Sequence, residues 1–159
     1  MIVLGIDPGF SRTGFGVVMS GAHPQAITFG VIAPKGGSMG ERLQFFRHEI
    51  DGLFAKARPD RVVLEKVFWG QARGDAFKTL YVRGIVLLTA QDQRLEVVEL
   101  APASVKKAVC GTGAASKRQV QESVAKILGL APPPSPPDAA DALALAIVGS
   151  SRLSPISST

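Results

Sequence analysis

Met1-Ile2-Val3-Leu4-Gly5-Ile6-Asp7, followed by the turn Pro8-Gly9-Phe10-Ser11-Arg12-Thr13-Gly14, decides how the rest of the chain is read. A near-continuous apolar run ending in a carboxylate is the pattern of a strand buried on both faces of a sheet, with one charged group delivered at its carboxyl end. An isolated buried carboxylate is costly, so something positive is expected to meet Asp7. Arg61-Val62-Val63-Leu64-Glu65 repeats the pattern. It is entered from a helix, and a crossover of that length returns the chain parallel to the first strand. Asp7 and Glu65 then stand side by side if the two strands are neighbours.

Outward from these strands, Gly14 to Met19 and Gln25 to Ala33 extend the first into an antiparallel meander of three. Ser38 with Glu41 forms a capping box that opens a helix ending before Pro59, with Met39, Leu43, Phe46, Ile50, Leu53 and Phe54 on one face. Residues 95–100 read as a short last strand, and Pro102 opens a brief helix holding Lys106 and Lys107. Ser116 with Gln119 caps a further helix to Leu128. A stiff stretch, Pro132-Pro133-Pro134-Ser135-Pro136-Pro137, sets the chain down at Asp138, where a helix of small and apolar residues begins. The expected architecture is α/β, a mixed five-stranded sheet flanked by helices. It forms a single domain over residues 1–150, with 151–159 as a polar, disordered tail.

The helix over residues 75–91 carries Phe77, Leu80, Tyr81, Ile85, Leu87 and Leu88, more apolar surface than a helix with one solvated side needs. A protein interface and a centrally buried helix both fit this surplus.

Composition narrows the chemistry. The 159 residues include one cysteine, Cys110, which excludes an internal disulfide and any zinc site built from cysteine pairs. His23 and His48 stand apart, so a bound metal must be hard and oxygen-ligated. No apolar stretch approaches the roughly 20 residues that span a bilayer. Met1 leads straight into a strand with no basic leader, so a soluble cytoplasmic protein is expected. Setting four of the 13 acids aside in one site leaves 9 against 18 basic groups, the footprint of a nucleic-acid binder. A basic but unspecialised surface is the plainer alternative. Between Glu99 and Glu122 the charges are Lys106, Lys107, Lys117 and Arg118 with no acid, which favours an anion-binding edge. Phe68 and Trp69 stand in a loop between Glu65 and Arg73.

Asp138 and Asp141 are the only charges of the last helix and share the face that must lie on the sheet, where they can meet Asp7 and Glu65. Acids in a first turn are ordinary, since they complement the helix dipole. Four crowded carboxylates repel one another by several pKa units unless cations are present. An all-oxygen site suits Mg²⁺ or Mn²⁺, and two such ions about 4 Å apart are the apparatus of in-line phosphodiester hydrolysis, with no nucleophilic side chain required.

Gly5-Ile6-Asp7-Pro8-Gly9 with Thr13-Gly14, Glu65 with Val67-Phe68, Arg83-Gly84, Val105-Lys106 with Gly111 and Gly113, Lys117, and Asp138-Ala139-Ala140-Asp141-Ala142-Leu143-Ala144 together resemble the RuvC Holliday junction resolvases over residues 1–150. The resemblance implies an RNase H-like fold and a Mg²⁺-dependent endodeoxyribonuclease, with Mn²⁺ as a substitute and one or two ions per subunit. It implies a homodimer that binds four-way junction DNA and nicks two strands symmetrically in recombination and repair, leaving 5′-phosphate and 3′-hydroxyl ends. Asp7, Glu65, Asp138 and Asp141 would be catalytic metal ligands. Lys106 and Lys117 would contact DNA near the cleaved phosphate, Phe68 would stack on bases, and Arg73, Lys107 and Arg118 join them as candidate DNA contacts. The helix from Asp75 would form the dimer interface, and branch-migration proteins RuvA and RuvB would be partners.

Two stretches depart from the family pattern. Thr79-Leu80-Tyr81-Val82 precedes Arg83-Gly84 where the family often has Leu-Gly-Gln-Ala, and Lys66 follows Glu65 where Gln is frequent. The first strand and turn also resemble actin-like ATPases, but those need a second such domain to enclose ATP. The remaining alternatives are another RNase H-fold nuclease acting on RNA or non-junction DNA, and a junction-binding protein without catalysis.

Overall fold

The computed structural model describes residues 1–67 and 75–151. Among these, five strands and five helices follow in the order β1 (Ile2–Asp7), β2 (Thr13–Met19), β3 (Gln25–Ile32), α1 (Met39–Ala57), β4 (Arg61–Glu65), α2 (Asp75–Asp92), β5 (Glu96–Leu100), α3 (Pro102–Cys110), α4 (Lys117–Leu128) and α5 (Pro137–Ser151). The sheet order is β3-β2-β1-β4-β5. β1, β2 and β3 form the expected antiparallel meander, and β4 lies parallel to both β1 and β5. No helix among the described residues is long and apolar enough to cross a membrane.

Local chemistry accounts for the element ends. The capping boxes are formed: Ser38 accepts from the Glu41 amide while the Glu41 carboxylate accepts from the Ser38 amide at 2.7 Å, and Ser116 and Gln119 do the same. Pro102 occupies the first turn of α3, where a missing amide hydrogen costs nothing. β2 begins at Thr13, one residue earlier than expected, because the buried Thr13 hydroxyl donates to the Gly9 carbonyl at 2.8 Å and also accepts from the Gly9 amide. α5 runs through Ser151, with the Ser150 hydroxyl donating to the Ile147 carbonyl. Residues 152–159 lie outside the described residues.

Strand periodicity sorts the core into two layers. Leu4, Ile6, Val17, Val62 and Leu64 face α1 and α2, where they meet Phe46, Ile50, Phe54, Val82 and Val86. Each of these large side chains contributes about 1.5 to 3 kcal/mol by leaving water. Met39, expected on the buried face of α1, is instead exposed in its first turn. Val3, Val18 and Val63 point the other way into a layer built with α5, α3 and α4. Apart from Asp141, residues 139–146 of α5 are all buried. The helix lies between the sheet and α3 and α4, which explains its lack of a polar face.

Glycines bring α5 onto the sheet. A Cβ at Gly5 of β1 would collide with the Ala142 carbonyl, one at Gly14 with the Asp138 carbonyl, and one at Gly16 would stand 2.8 Å from the Leu143 amide nitrogen. At the other end of β4, Arg61 donates to the Gly149 carbonyl at 3.0 Å and to Glu96 at 2.8 Å, tying the end of α5 to the sheet.

α2 resolves the question left open by its composition. Val82, Val86 and Ala90 are its buried side, whereas Phe77, Tyr81 and Leu88 are 53%, 53% and 51% exposed on the opposite side. The centrally buried helix is α5 rather than α2.

Candidate active site

Asp7 and Glu65 reach the same side of the sheet through strand parity. Asp7 shares its face with Val3 and Gly5, and Glu65 shares its face with Val63; all of these face α5. The β1–β4 register pairs Ile6 with Leu64, so the next step along both strands sets the two acids beside each other. α5 supplies Asp141 one turn into the helix and Asp138 in its first turn, held there by the close approach at Gly14.

Asp7, Glu65 and Asp141 line one cavity of about 250 Å³ together with Lys106 of α3 and Lys117 of α4. Val105, Val109, Val120 and Leu145 wall it on the apolar side. Burial and then the neighbouring Glu65, Asp141 and Asp138 push the Asp7 carboxyl up to about 8, with Lys117 opposing. Burial first, then Asp141, raises Glu65, and Lys106 and Lys117 hold it back. Asp141 is raised chiefly by burial and further by Asp138, against the same two lysines. The expected positive partner of Asp7 is therefore Lys117, and it is outweighed by three acids.

Asp138 is oriented differently. Its carboxylate pairs with Arg12 of the β1–β2 turn, Nε to oxygen 2.9 Å, although its charge still acts on Asp7 and Asp141. Among the described residues, no three His, Cys, Asp or Glu side chains stand close enough to hold one ion as they are. The donor set nonetheless suits a hard divalent cation. It is all oxygen and crowded, and its central member is mostly protonated at neutral pH unless positive charge is supplied.

Of the other expected DNA contacts, Lys107 and Arg118 are not brought to the cavity. Arg118 is solvated and pairs with Glu122 one turn on, and Lys107 follows Lys106 on a different side of α3. Phe68 and Arg73 lie outside the described residues. Two arginines were not anticipated. Arg12 has no signal beyond its place in a turn after an acid-tipped strand. Arg83, noted only as part of a motif, is buried against the end of β4, where it donates to the Glu65 carbonyl at 2.8 Å. A lone arginine among apolar residues of α2 was the available clue.

A mixed sheet whose two parallel strands β1 and β4 deliver acids to a lysine-walled cavity is the arrangement of an RNase H-like fold. A Thermus thermophilus RuvC structure is 33% identical and matches with a TM-score of 0.81 over 92% of this chain and 91% of that one. The same protein in complex with Holliday junction substrate is 34% identical and matches at 0.84, covering 92% and 90%. The family model described as crossover junction endodeoxyribonuclease RuvC matches residues 3–149. A relative of that description from Syntrophomonas wolfei is 44% identical over 92% of this chain and 87% of its own. Another from Thermomicrobium roseum is 43% identical over 92% and 91%. The chain belongs to the RuvC family of crossover junction endodeoxyribonucleases.

Proposed function

We propose that this protein resolves Holliday junctions by symmetric, divalent-metal-dependent nicking of two strands, working as a homodimer in the cytoplasm with branch-migration proteins of the RuvA and RuvB type. The observation that carries this reading is the convergence of Asp7, Glu65 and Asp141 with Lys106 and Lys117 on one cavity. Asp7, Glu65 and Asp141, joined by Asp138 when it leaves Arg12, would hold one or two Mg²⁺ or Mn²⁺ ions. Bound there, such ions would supply an activated water and neutralise charge on the leaving 3′ oxygen. Lys106 and Lys117 hold the scissile phosphate against the acids, which would otherwise repel it. The apolar wall behind the cavity limits water and keeps these charges weakly screened. Phe68 stacks on an unpaired base near the crossover, and Arg73, Lys107 and Arg118 add outer phosphate contacts.

The exposed Phe77, Tyr81 and Leu88 on α2 support the dimer, since one apolar stripe facing its copy would set two cavities on one junction. The deciding experiment compares a synthetic mobile four-way junction with a linear duplex, with and without Mg²⁺ or Mn²⁺. Metal-dependent paired nicks on the junction are expected, abolished in Asp7→Asn while junction binding persists. Equal cleavage of the duplex would make the protein a general nuclease, and undiminished nicking by Asp7→Asn would remove the metal-site assignment.

A further inference from the structure

Glu65 is the last residue of β4, and the strand end that carries it is held from outside the sheet. Arg83 reaches across from α2 with its guanidinium forked between two acceptors. One nitrogen donates to the Glu65 carbonyl at 2.8 Å, and the other donates to the Glu99 carboxylate of β5. The Lys66 amide, next along the chain, donates to the Leu100 carbonyl at 2.8 Å, so β5 and α2 together clamp the point where β4 ends. Arg83 is only 8% exposed. A guanidinium is costly to bury, and a packing role alone would be met by an apolar side chain such as those of Val82, Val86 and Ala90 on the same side of α2. Its planar fork binds two acceptors at a fixed spacing, which a lysine cannot do.

The consequence concerns the acid rather than the carbonyl. Glu65 is the last ladder residue of β4: the Lys66 amide ties its peptide to β5 and Arg83 ties the carbonyl of the same peptide, so loss of the second tie would let the backbone of Glu65 shift and carry its side chain away from the cavity. We propose that Arg83 is a positioning residue for Glu65: held by Glu99, it locks the end of β4 so that the Glu65 carboxylate stays directed at Asp7 and Asp141. The same helix presents Phe77, Tyr81 and Leu88 on its far side, so α2 joins an apolar outer face to the orientation of an active-site acid. This inference rests on the reading of Glu65 as a metal ligand.

The test is Mn²⁺ binding to the full-length, DNA-free protein, followed by electron paramagnetic resonance of the free ion. Wild type, Asp7→Asn, Arg83→Lys and Glu99→Gln are compared, with junction binding in the absence of divalent metal and thermal unfolding measured alongside. Arg83→Lys is expected to weaken Mn²⁺ binding by about tenfold or more, the effect of losing a group that orients a ligand. Junction binding is expected to stay at the wild-type level, and saturating Mn²⁺ should restore most of the nicking rate. Glu99→Gln is the milder variant and should weaken Mn²⁺ binding in the same direction even if Arg83→Lys fails to fold. Wild-type Mn²⁺ affinity in both variants, or junction binding that falls in parallel with metal binding, would overturn the proposal. If wild type binds Mn²⁺ no better than Asp7→Asn, the metal-site reading itself fails and the positioning role falls with it.

Discussion

The Nε of Arg12 stands 2.9 Å from a carboxylate oxygen of Asp138, so the acid that opens α5 is neutralised by the turn that follows β1. The guanidinium competes with any cation for that acid. Arg12 is half exposed, and exposed pairs are worth at most about 1 kcal/mol, so Arg12→Gln should tighten Mn²⁺ binding in the DNA-free protein by no more than about fivefold. Weaker Mn²⁺ binding in this variant would show that Arg12 supports the site instead of competing for it.

Asp7 makes the metal-free protein sensitive to alkali. Its carboxyl is raised from 3.8 to about 8 on folding, so the native state keeps a proton that the unfolded chain has lost anywhere between those values. The stabilisation is complete below the unfolded value and is lost as pH rises through the folded one, with a slope of up to about 1.4 kcal/mol per pH unit. Asp7→Asn removes this dependence and should be more stable than wild type near pH 8, with a smaller advantage near pH 5. Urea midpoints in chelator at several pH values would decide; parallel curves for the two proteins refute the assignment.

Gly5 has no room for a side chain because the Ala142 carbonyl lies against it. Gly5→Ala should lift α5 off β1 at a cost at or above the 1 to 3 kcal/mol typical of overpacking, and it should displace Asp141, the residue before Ala142, from Asp7. Gly21, with nothing near it, is the control, and Gly21→Ala should leave stability and nicking unchanged. Equal melting temperatures for the two variants would contradict the tight seating of α5.

Leu88 is half exposed on α2, so Leu88→Glu should hardly change the stability of a single subunit. Sedimentation should show monomers, and junction cleavage should lose its paired, symmetric character. A wild-type dimer carrying this substitution would place the subunit interface elsewhere.

Lys117 opposes the upward shifts of Asp7, Glu65 and Asp141 and faces the same cavity. Lys117→Ala should weaken junction binding and lower the slope of log affinity against log salt by about one, the mark of one lost phosphate contact. The same titration of Arg118→Ala, whose side chain is solvated outside the cavity, should show a smaller change. Identical slopes for Lys117→Ala and wild type would remove Lys117 from the phosphate contacts.

Much of this arrangement is legible in the sequence. The two acid-tipped strands, their parallel pairing, the meander and both capping boxes are short-range or periodic patterns, and each is present where the residues indicated. The carboxylates are legible for a related reason: one acid ending a strand is usually a cap or a solvated end group, but two acids ending two apolar strands that can pair are less ordinary. The exposed face of α2 was not. Its apolar residues surround the helix, and periodicity cannot say which side meets the sheet. Arg83 was equally hidden, since its partners Glu65 and Glu99 lie 18 and 16 residues away on other elements.

By itself, the sequence determined the elements, a mixed five-stranded sheet, and four candidate acids with an unbroken basic stretch between Glu99 and Glu122, because alternation, helical spacing and caps are written in neighbouring residues. Only the tertiary structure decided that Asp7, Glu65 and Asp141 share a cavity while Asp138 turns to Arg12, and that Arg83 clamps the end of β4. The physical reason is contact distance. Where α5 sits is set by glycines on two strands more than a hundred residues earlier in the chain, and charge interactions that depend on that seating have no local pattern to reveal them.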